Sequence, residues 1–408
     1  MKCRYCRAPL ALSLIDLGSA PPSNAYLTKL TIRRPEKWFP LKVLVCESCW
    51  LVQAESYSRA SELFNDEYAY FSSFSDYWLK HAENYVETMV DRFGLTTDSH
   101  VIEVASNDGY LLQYVKQRGI PCLGIEPTAG TSSAARLKGI ETIEEFFSTR
   151  LADGLVSQGK QADLMVANNV LAHVPDITDF AAGFAALLKP QGVATFEFPH
   201  LMHLIEENQF DTIYHEHFSY LSFTTVVDIF NASNLTVFDV EELDSHGGSL
   251  RVFAQRKDMG KHSINKKVTE LLNREASAGM NCTDYYEGFQ AYADKVKNDF
   301  LTFLLDANRS GRKVAGYGAA AKGNTLLNYA GVRTDLLPYV VDRNPAKQNK
   351  FLPGSRIPIV DEAHLKQTKP DYVVILPWNL REEVMAQLAY IREWGGQFVT
   401  SVPFLEIQ

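Results

Sequence analysis

At 408 residues, 46% of them hydrophobic, the chain is too long for one ordinary core and has ample material for two or three domains. A formal net charge of -9 argues against the basic face that phosphate-backbone binding requires, so no nucleic-acid partner is expected. No signal-peptide pattern opens the chain and no apolar run is long enough to span a bilayer, which predicts a cytoplasmic protein with no membrane partner.

The first motif is a pair of C-x2-C knuckles, Cys3-Arg4-Tyr5-Cys6 and Cys46-Glu47-Ser48-Cys49. Each pair offers two thiolates to one tetrahedral ion, and the two together complete a closed shell. A reducing cytosol disfavours the disulfide alternative, so Cys3, Cys6, Cys46 and Cys49 are expected to hold structural Zn. A closed shell leaves no position for substrate, and the metal should fold the small domain rather than do chemistry. Cys122 and Cys282 stand alone and read as core thiols. After a linker-like region, the aromatic and hydroxyl-rich stretch 66–75 leads into a helix carrying Trp78, His81 and Tyr85. A lid and a packing layer between domains fit that stretch equally well.

From His100 onward strands alternate with helices: Val101-Ile102-Glu103-Val104, Cys122 to Glu126, Ala162 to Ala167, and Gly192 to Phe198 read as strands. Such alternation predicts a parallel doubly wound sheet with ligands beyond the strand carboxyl ends. The first strand end runs Glu103-Val104-Ala105-Ser106-Asn107-Asp108-Gly109, and its single glycine departs from the G-x-G-x-x-G of a pyrophosphate binder. The second ends in Glu126, a carboxylate able to accept both hydroxyls of a ribose. Phe146 and Phe147 suit either an adenine contact or the core.

This set resembles the class I S-adenosylmethionine-dependent methyltransferases. Glu103 through Gly109 looks like their first motif and Glu126 like their ribose acid. Asn168-Asn169 followed by Leu171-Ala172-His173 is similar to their fourth motif. The resemblance implies that Glu103, Ala105, Asn107, Asp108, Gly109, Glu126 and Asn168 bind S-adenosylmethionine.

Two histidine-bearing stretches fall on the same side of the sheet. His173 follows the fourth strand end, and Tyr214-His215-Glu216-His217 follows the fifth. His is the usual base near neutral pH, and a neighbouring Glu or Tyr can orient it or share its proton. Asp244-Ser245-His246-Gly247-Gly248-Ser249-Leu250-Arg251 then offers glycines for close backbone approach and an Arg for an anion or carbonyl, and also suits the final hairpin turn of the sheet. His246 and Arg251 are therefore candidate substrate ligands.

Past a charged helical stretch ending near Ser310, the β/α alternation returns. Val314 to Tyr317 is a strand, and Gly318-Ala319-Ala320-Ala321-Lys322 is a small-residue turn opening a helix. Free N–H groups at a helix amino terminus bind phosphate, and Lys322 can add a countercharge. A second strand ends at Asp342-Arg343, the place for a ribose or base contact, and Tyr372 to Asn379 completes a half-Rossmann unit. Gly318, Ala319, Lys322, Asp342 and Arg343 are accordingly read as binding a phosphorylated acceptor.

Taken in order, these motifs resemble the sugar-nucleotide C-methyltransferases over essentially the whole chain. The expected architecture is α/β: a small four-cysteine zinc domain (1–75), a class I methyltransferase Rossmann-like domain (76–256) and a carboxyl-terminal Rossmann-like domain for the sugar nucleotide (257–408). In that family the acceptor is a dTDP-linked 4-keto-6-deoxy sugar methylated at C3. The resemblance implies that Tyr68, His173, Tyr214, Glu216 and His217 line the reacting sugar. His217 is assigned as base, Glu216 and Tyr214 as its orienting groups, and His173 as donor to the C4 oxygen. An O- or N-methyltransferase and a non-catalytic zinc-containing adaptor are the alternatives. With no heptad or exposed stripe to suggest assembly, a monomer is expected.

Overall fold

A computed structural model describes residues 1–57, 60–64 and 71–408. Three sheets organise them. The central one has seven strands in the order Leu235–Leu243, Ser249–Arg256, Leu188–Pro199, Ala162–Asn168, Val101–Val104, Cys122–Ile125, Thr142–Ile143. All its pairings are parallel except those of Ser249–Arg256, which runs antiparallel to both neighbours. This is the α/β class I methyltransferase arrangement, with the last strand of the sheet in chain order, Ser249–Arg256, inserted beside Leu188–Pro199. Both faces are covered, which is why Ala162–Asn168 carries an almost unbroken apolar run rather than an alternating one.

Helix Asp76–Phe93 shows how sequence sets the flanking layer. Ser75 Oγ accepts the Trp78 N–H at 3.2 Å as N-cap, and Gly94 ends the helix at φ 60°. Its buried face, Trp78, Ala82, Tyr85, Val86 and Met89, repeats at three- and four-residue spacing.

The carboxyl-terminal sheet has the order Ile359–Val360, Val340–Val341, Val314–Tyr317, Tyr372–Ile375, Gln397–Thr400, Glu406–Ile407, parallel except at its last strand. The amino-terminal sheet pairs Leu12–Ala20, Phe39–Val45 and Val52–Ala54, then takes Ser219–Tyr220 as its fourth strand. One apolar cluster joins all three regions, from Ile15 and Val43 through Phe210 and Ile213 to Phe300, Leu326 and Val340.

One thiol differs from expectation: Cys282 is exposed, whereas Cys122 is half-buried and packs against the core cluster that holds Val101 and Leu112. Phe147 packs edge-on against Phe180 and Phe184, while Phe146 is exposed. Among the described residues, no helix is long and apolar enough to cross a membrane.

Candidate active site

The four sulfurs of Cys3, Cys6, Cys46 and Cys49 lie within 4.8 Å of one another, with Cys3–Cys49 at 3.6 Å and Cys6–Cys46 at 3.4 Å. Zn–S bonds of about 2.3 Å in a tetrahedron place sulfurs about 3.8 Å apart, so the cluster fits the ion. The two knuckles share one backbone form. Arg7 N–H bonds to Cys3 O and Trp50 N–H to Cys46 O, and both Arg7 and Trp50 take positive φ, at 67° and 59°. Gln53 Nε2 adds a hydrogen bond to Cys3 Sγ at 3.3 Å.

At the end of strand Val101–Val104 the chain turns sharply. Ala105, Asn107 and Gly109 have φ of 56°, 49° and 75°. A Cβ on Gly109 would lie 2.4 Å from Ile140 Cδ1, so no larger residue closes this turn without displacement. Glu126 braces the turn: Oε2 accepts the Asn107 N–H at 2.9 Å, and Oε1 accepts the N–H and hydroxyl of Thr128. A carboxylate has about four lone-pair sites, so room remains for ribose hydroxyls. Asn168 presents a buried amide whose nitrogen and oxygen both lack partners, and Asp108 Oδ1 is likewise buried and unpaired. These open valences fit a polar ligand such as S-adenosylmethionine. Burial pushes the Glu103 carboxyl well above its ordinary value. The stretch 71–74 bears on the same turn, since Ser72 N–H donates to Asn107 Oδ1 at 2.9 Å and Lys138 Nζ to Ser73 Oγ at 2.8 Å. Tyr68 lies outside the described residues.

Beyond the fifth strand end, the Tyr214–His217 run folds against the turn holding His173. His217 Nδ1 sits 2.8 Å from Thr212 O, and His173 Nδ1 sits 2.9 Å from Glu216 O. A carbonyl only accepts, so in each neutral ring Nδ1 carries the proton and Nε2 carries a lone pair. The rings lie 4.7 Å apart between centroids, and Tyr214 covers His217 at 3.9 Å. Burial holds His217 well below the usual imidazole range, helped by the nearby His173, and takes His173 down to about 4. Both are neutral at pH 7. His173 therefore cannot donate from Nε2, which corrects its expected role as hydrogen-bond donor to a ketone.

The other two members of the run face elsewhere. His215 Nε2 approaches Phe39 O at 3.3 Å, on the amino-terminal sheet and away from His173. Glu216 is buried, with Oε1 accepting from Asn24 Nδ2 at 3.3 Å, and burial raises its carboxyl pKa.

Arg251 is not available to an anion. It lies on strand Ser249–Arg256, where its guanidinium bonds Glu197 Oε2 at 3.1 Å and Glu241 Oε2 at 3.3 Å and lies over the Tyr85 ring. Glu197 also accepts from Ser245 Oγ and pairs with His81. Burial would push the Glu197 carboxyl up, but His81 and Arg251 hold it below its ordinary value. Buried partners, invisible to a one-dimensional pattern, override the reading from H-G-G-S-L-R. His246 does occupy the hairpin turn, at φ 56°, with its ring edge-on to Trp78.

In the carboxyl-terminal fold, Gly318 (φ 88°) and Ala319 form the turn after Val314–Tyr317. Asp342 braces that turn, accepting the Ala319 N–H at 2.8 Å, and Arg343 is exposed at the rim. Ala319 O accepts from Tyr26 Oη at 2.6 Å and Lys347 Nζ at 2.9 Å. Lys322 points toward the central domain, where Nζ donates to Asn379 Oδ1 at 3.0 Å and to His246 O at 3.4 Å, over the Trp378 ring. Trp378 Nε1 donates to Asp211 Oδ2 at 2.9 Å. Asn24, Asp211 and Trp378 are the residues that sequence reasoning missed. Asp211, three residues before the run, and Trp378, at a strand end, carried a positional signal, whereas nothing marks Asn24.

Comparison with known proteins agrees with this architecture. A C-methyltransferase C-terminal domain family matches residues 244–403, a zinc binding domain family residues 3–64 and a methyltransferase domain family residues 78–240. The chain is similar to the C-methyltransferase NovU of Streptomyces niveus, 34% identical over 402 residues, covering 98% of this chain and 95% of that one. It is also similar to the ubiquinone biosynthesis O-methyltransferase of Bordetella avium (strain 197N), 28% identical over 113 residues, 27% of this chain and 47% of that one. Among solved structures, the PH0226 protein of Pyrococcus horikoshii OT3 matches 46% of this chain and 95% of its own at 15% identity and a TM-score of 0.39. The likeness to NovU runs through all three sheets, and the chain belongs to the C-methyltransferase family, as an S-adenosylmethionine-dependent member with an amino-terminal zinc-binding domain.

Proposed function

We propose that the protein methylates C3 of a dTDP-linked 4-keto-6-deoxy sugar, with His217 as the base. The observation that carries this reading is the His217 ring, whose Nδ1–H is held by Thr212 O so that Nε2 keeps a lone pair, set against His173 at the end of strand Ala162–Asn168 and next to the Ile213–Thr325 contact with the carboxyl-terminal fold. Carbon becomes nucleophilic only after losing a proton, and a C3 proton is acidic because the neighbouring ketone can hold the charge as an enolate. S-adenosylmethionine, when bound, supplies the electrophilic methyl group.

Glu126, Asn168 and the Ala105–Gly109 turn bind and orient the methyl donor, while Tyr214 and the His217–Thr212 bond fix the imidazole. Gly318, Ala319 and the turn braced by Asp342 take the nucleotide end of the acceptor, so that both substrates are fixed before the proton moves. Zinc, held by the four cysteines, keeps the amino-terminal sheet folded against the histidine run.

The test is incubation with dTDP-4-keto sugars and S-adenosylmethionine, with product NMR. A new methyl on carbon supports the reading, and one on oxygen or nitrogen overturns it. In parallel, His217→Ala should abolish exchange of the C3 proton with solvent deuterium; undiminished exchange moves the base elsewhere.

A further inference from the structure

The two histidines at the centre of the site both lack a donor for the ketone. Each commits Nδ1–H to a backbone carbonyl and offers a lone pair at Nε2. Enolate formation needs the opposite at the carbonyl oxygen, a hydrogen-bond donor or a cation to hold the growing charge.

We propose that Lys322 is a catalytic residue whose ammonium binds the C4 oxygen of the acceptor and holds its charge while His217 removes the C3 proton. This rests on the acceptor reading above and adds a residue, from the carboxyl-terminal fold, to its chemistry. Four contacts fix that residue and its helix at the side of the histidine run. Helix Ala321–Tyr329, which carries Lys322, is docked on the run itself, because the buried Thr325 donates from Oγ1 to Ile213 O at 2.8 Å, immediately before Tyr214. Trp378, fixed by its bond to Asp211, lies under the ammonium at 4.5 Å. Asn379 Oδ1 and His246 O take two of the three N–H groups, leaving one donor. Asp211 is buried with Oδ1 unpaired, and its charge partly compensates the cost of placing a cation there. The charge of Lys322 in turn disfavours protonation of His217 and His246.

The electron count closes. The C3–H bond breaks, its proton goes to His217 Nε2, and its pair forms a C3–C4 double bond. The carbonyl pair moves to the C4 oxygen beside Lys322. The C3–C4 double-bond pair then forms the C3–methyl bond as the sulfonium's S–methyl bond breaks with its pair kept by sulfur, and the pair on the C4 oxygen returns to restore the ketone.

The experiment uses the full-length protein, a dTDP-linked 4-keto-6-deoxyhexose and S-adenosylhomocysteine in place of the methyl donor. Deuterium exchange at C3 is followed by NMR for the parent protein, Lys322→Met, Lys322→Gln and Lys322→Arg, and methylation kinetics are measured with S-adenosylmethionine. Thermal midpoints and cofactor binding by calorimetry identify any variant that fails to fold, and Lys322→Arg, which keeps the charge, is the control. Lys322→Met should lower exchange and kcat together by about 10²- to 10³-fold, with KM for the sugar nucleotide little changed and partial recovery in Lys322→Arg. Undiminished exchange in a folded Lys322→Met or Lys322→Gln overturns the proposal. A raised KM with kcat intact also overturns it and gives Lys322 to the diphosphate. Absence of C3 exchange and C-methylation in the parent protein instead removes the acceptor reading, and the proposal with it.

Discussion

Asn24, in the loop after the first strand of the amino-terminal sheet, donates its side-chain amide to Glu216 Oε1 at 3.3 Å. Two residues on, the Tyr26 hydroxyl donates to Ala319 O at the turn of the carboxyl-terminal fold. One short loop of the zinc-binding region thus touches both the histidine run and the nucleotide-type turn. Asn24→Ala should lower kcat by about 10-fold, since leaving a buried polar group without its partner costs roughly 1–3 kcal/mol, while leaving S-adenosylmethionine affinity unchanged. Single-turnover kinetics with calorimetry check this, and an unaltered kcat would remove the link.

Metal content is the second expectation. Elemental analysis should find one zinc per chain, and chelation or Cys46→Ser should lower the thermal midpoint and abolish methylation. The route is structural, because strand Ser219–Tyr220 pairs with Val52–Gln53 of the sheet that the metal supports. Full activity in metal-free protein would sever that route.

The Arg251–Glu197 pair gives a stability prediction. Glu197 is completely buried and shares its carboxylate among His81, Ser245 and Arg251. Arg251→Met leaves that charge short of a partner and should cost about 3–5 kcal/mol in chemical denaturation. A loss below 1 kcal/mol would mean that Glu197 takes up a proton and adapts.

Glu126→Ala should weaken S-adenosylmethionine binding by about 100-fold, the loss of one or two charge-assisted hydrogen bonds to ribose. Isothermal calorimetry checks it, and an unchanged Kd would place the ribose elsewhere.

Stability should also fall with acid. Burial first of all lowers both His173 and His246 to about 4, against about 6.5 in an unfolded chain. Between those values the unfolded chain binds protons that the folded one does not, so the contribution is complete above about pH 6.5 and is lost as pH falls toward 4. Asp211, raised to about 6 by burial, works the other way over part of that window. Denaturation of His173→Asn against the parent between pH 7 and 5 should show a slope shallower by up to about 1.4 kcal/mol per pH unit, and parallel curves would mean that His173 is already charged when folded.

The sequence carried the architecture because its signals are local. Cysteine spacing, strand-end carboxylates such as Glu126, and apolar runs such as Ala162 to Ala167 all depend on near neighbours along the chain. The same holds for Asp342, whose strand-end position placed it at the Gly318–Ala319 turn. What stayed hidden depends on distant partners. Arg251 reads as an anion ligand until Glu197 and Glu241 are seen on adjacent strands. The tautomer of His173 is set by a carbonyl 43 residues away. Asn24 meets Glu216 across 192 residues, and no pattern along the chain announces such a contact.

That the fourth strand of the amino-terminal sheet is Ser219–Tyr220 orders events during synthesis. The zinc knuckles emerge before the central domain, yet the partner of the Val52–Ala54 edge leaves the ribosome only more than 160 residues later. An open edge is a template for wrong pairing, so the nascent chain carries this hazard through the making of the central domain. The residues that cover the edge, Ser219–Tyr220, lie just after Tyr214–His217, so pairing at this edge and placement of the histidine run are joined by a single residue of chain.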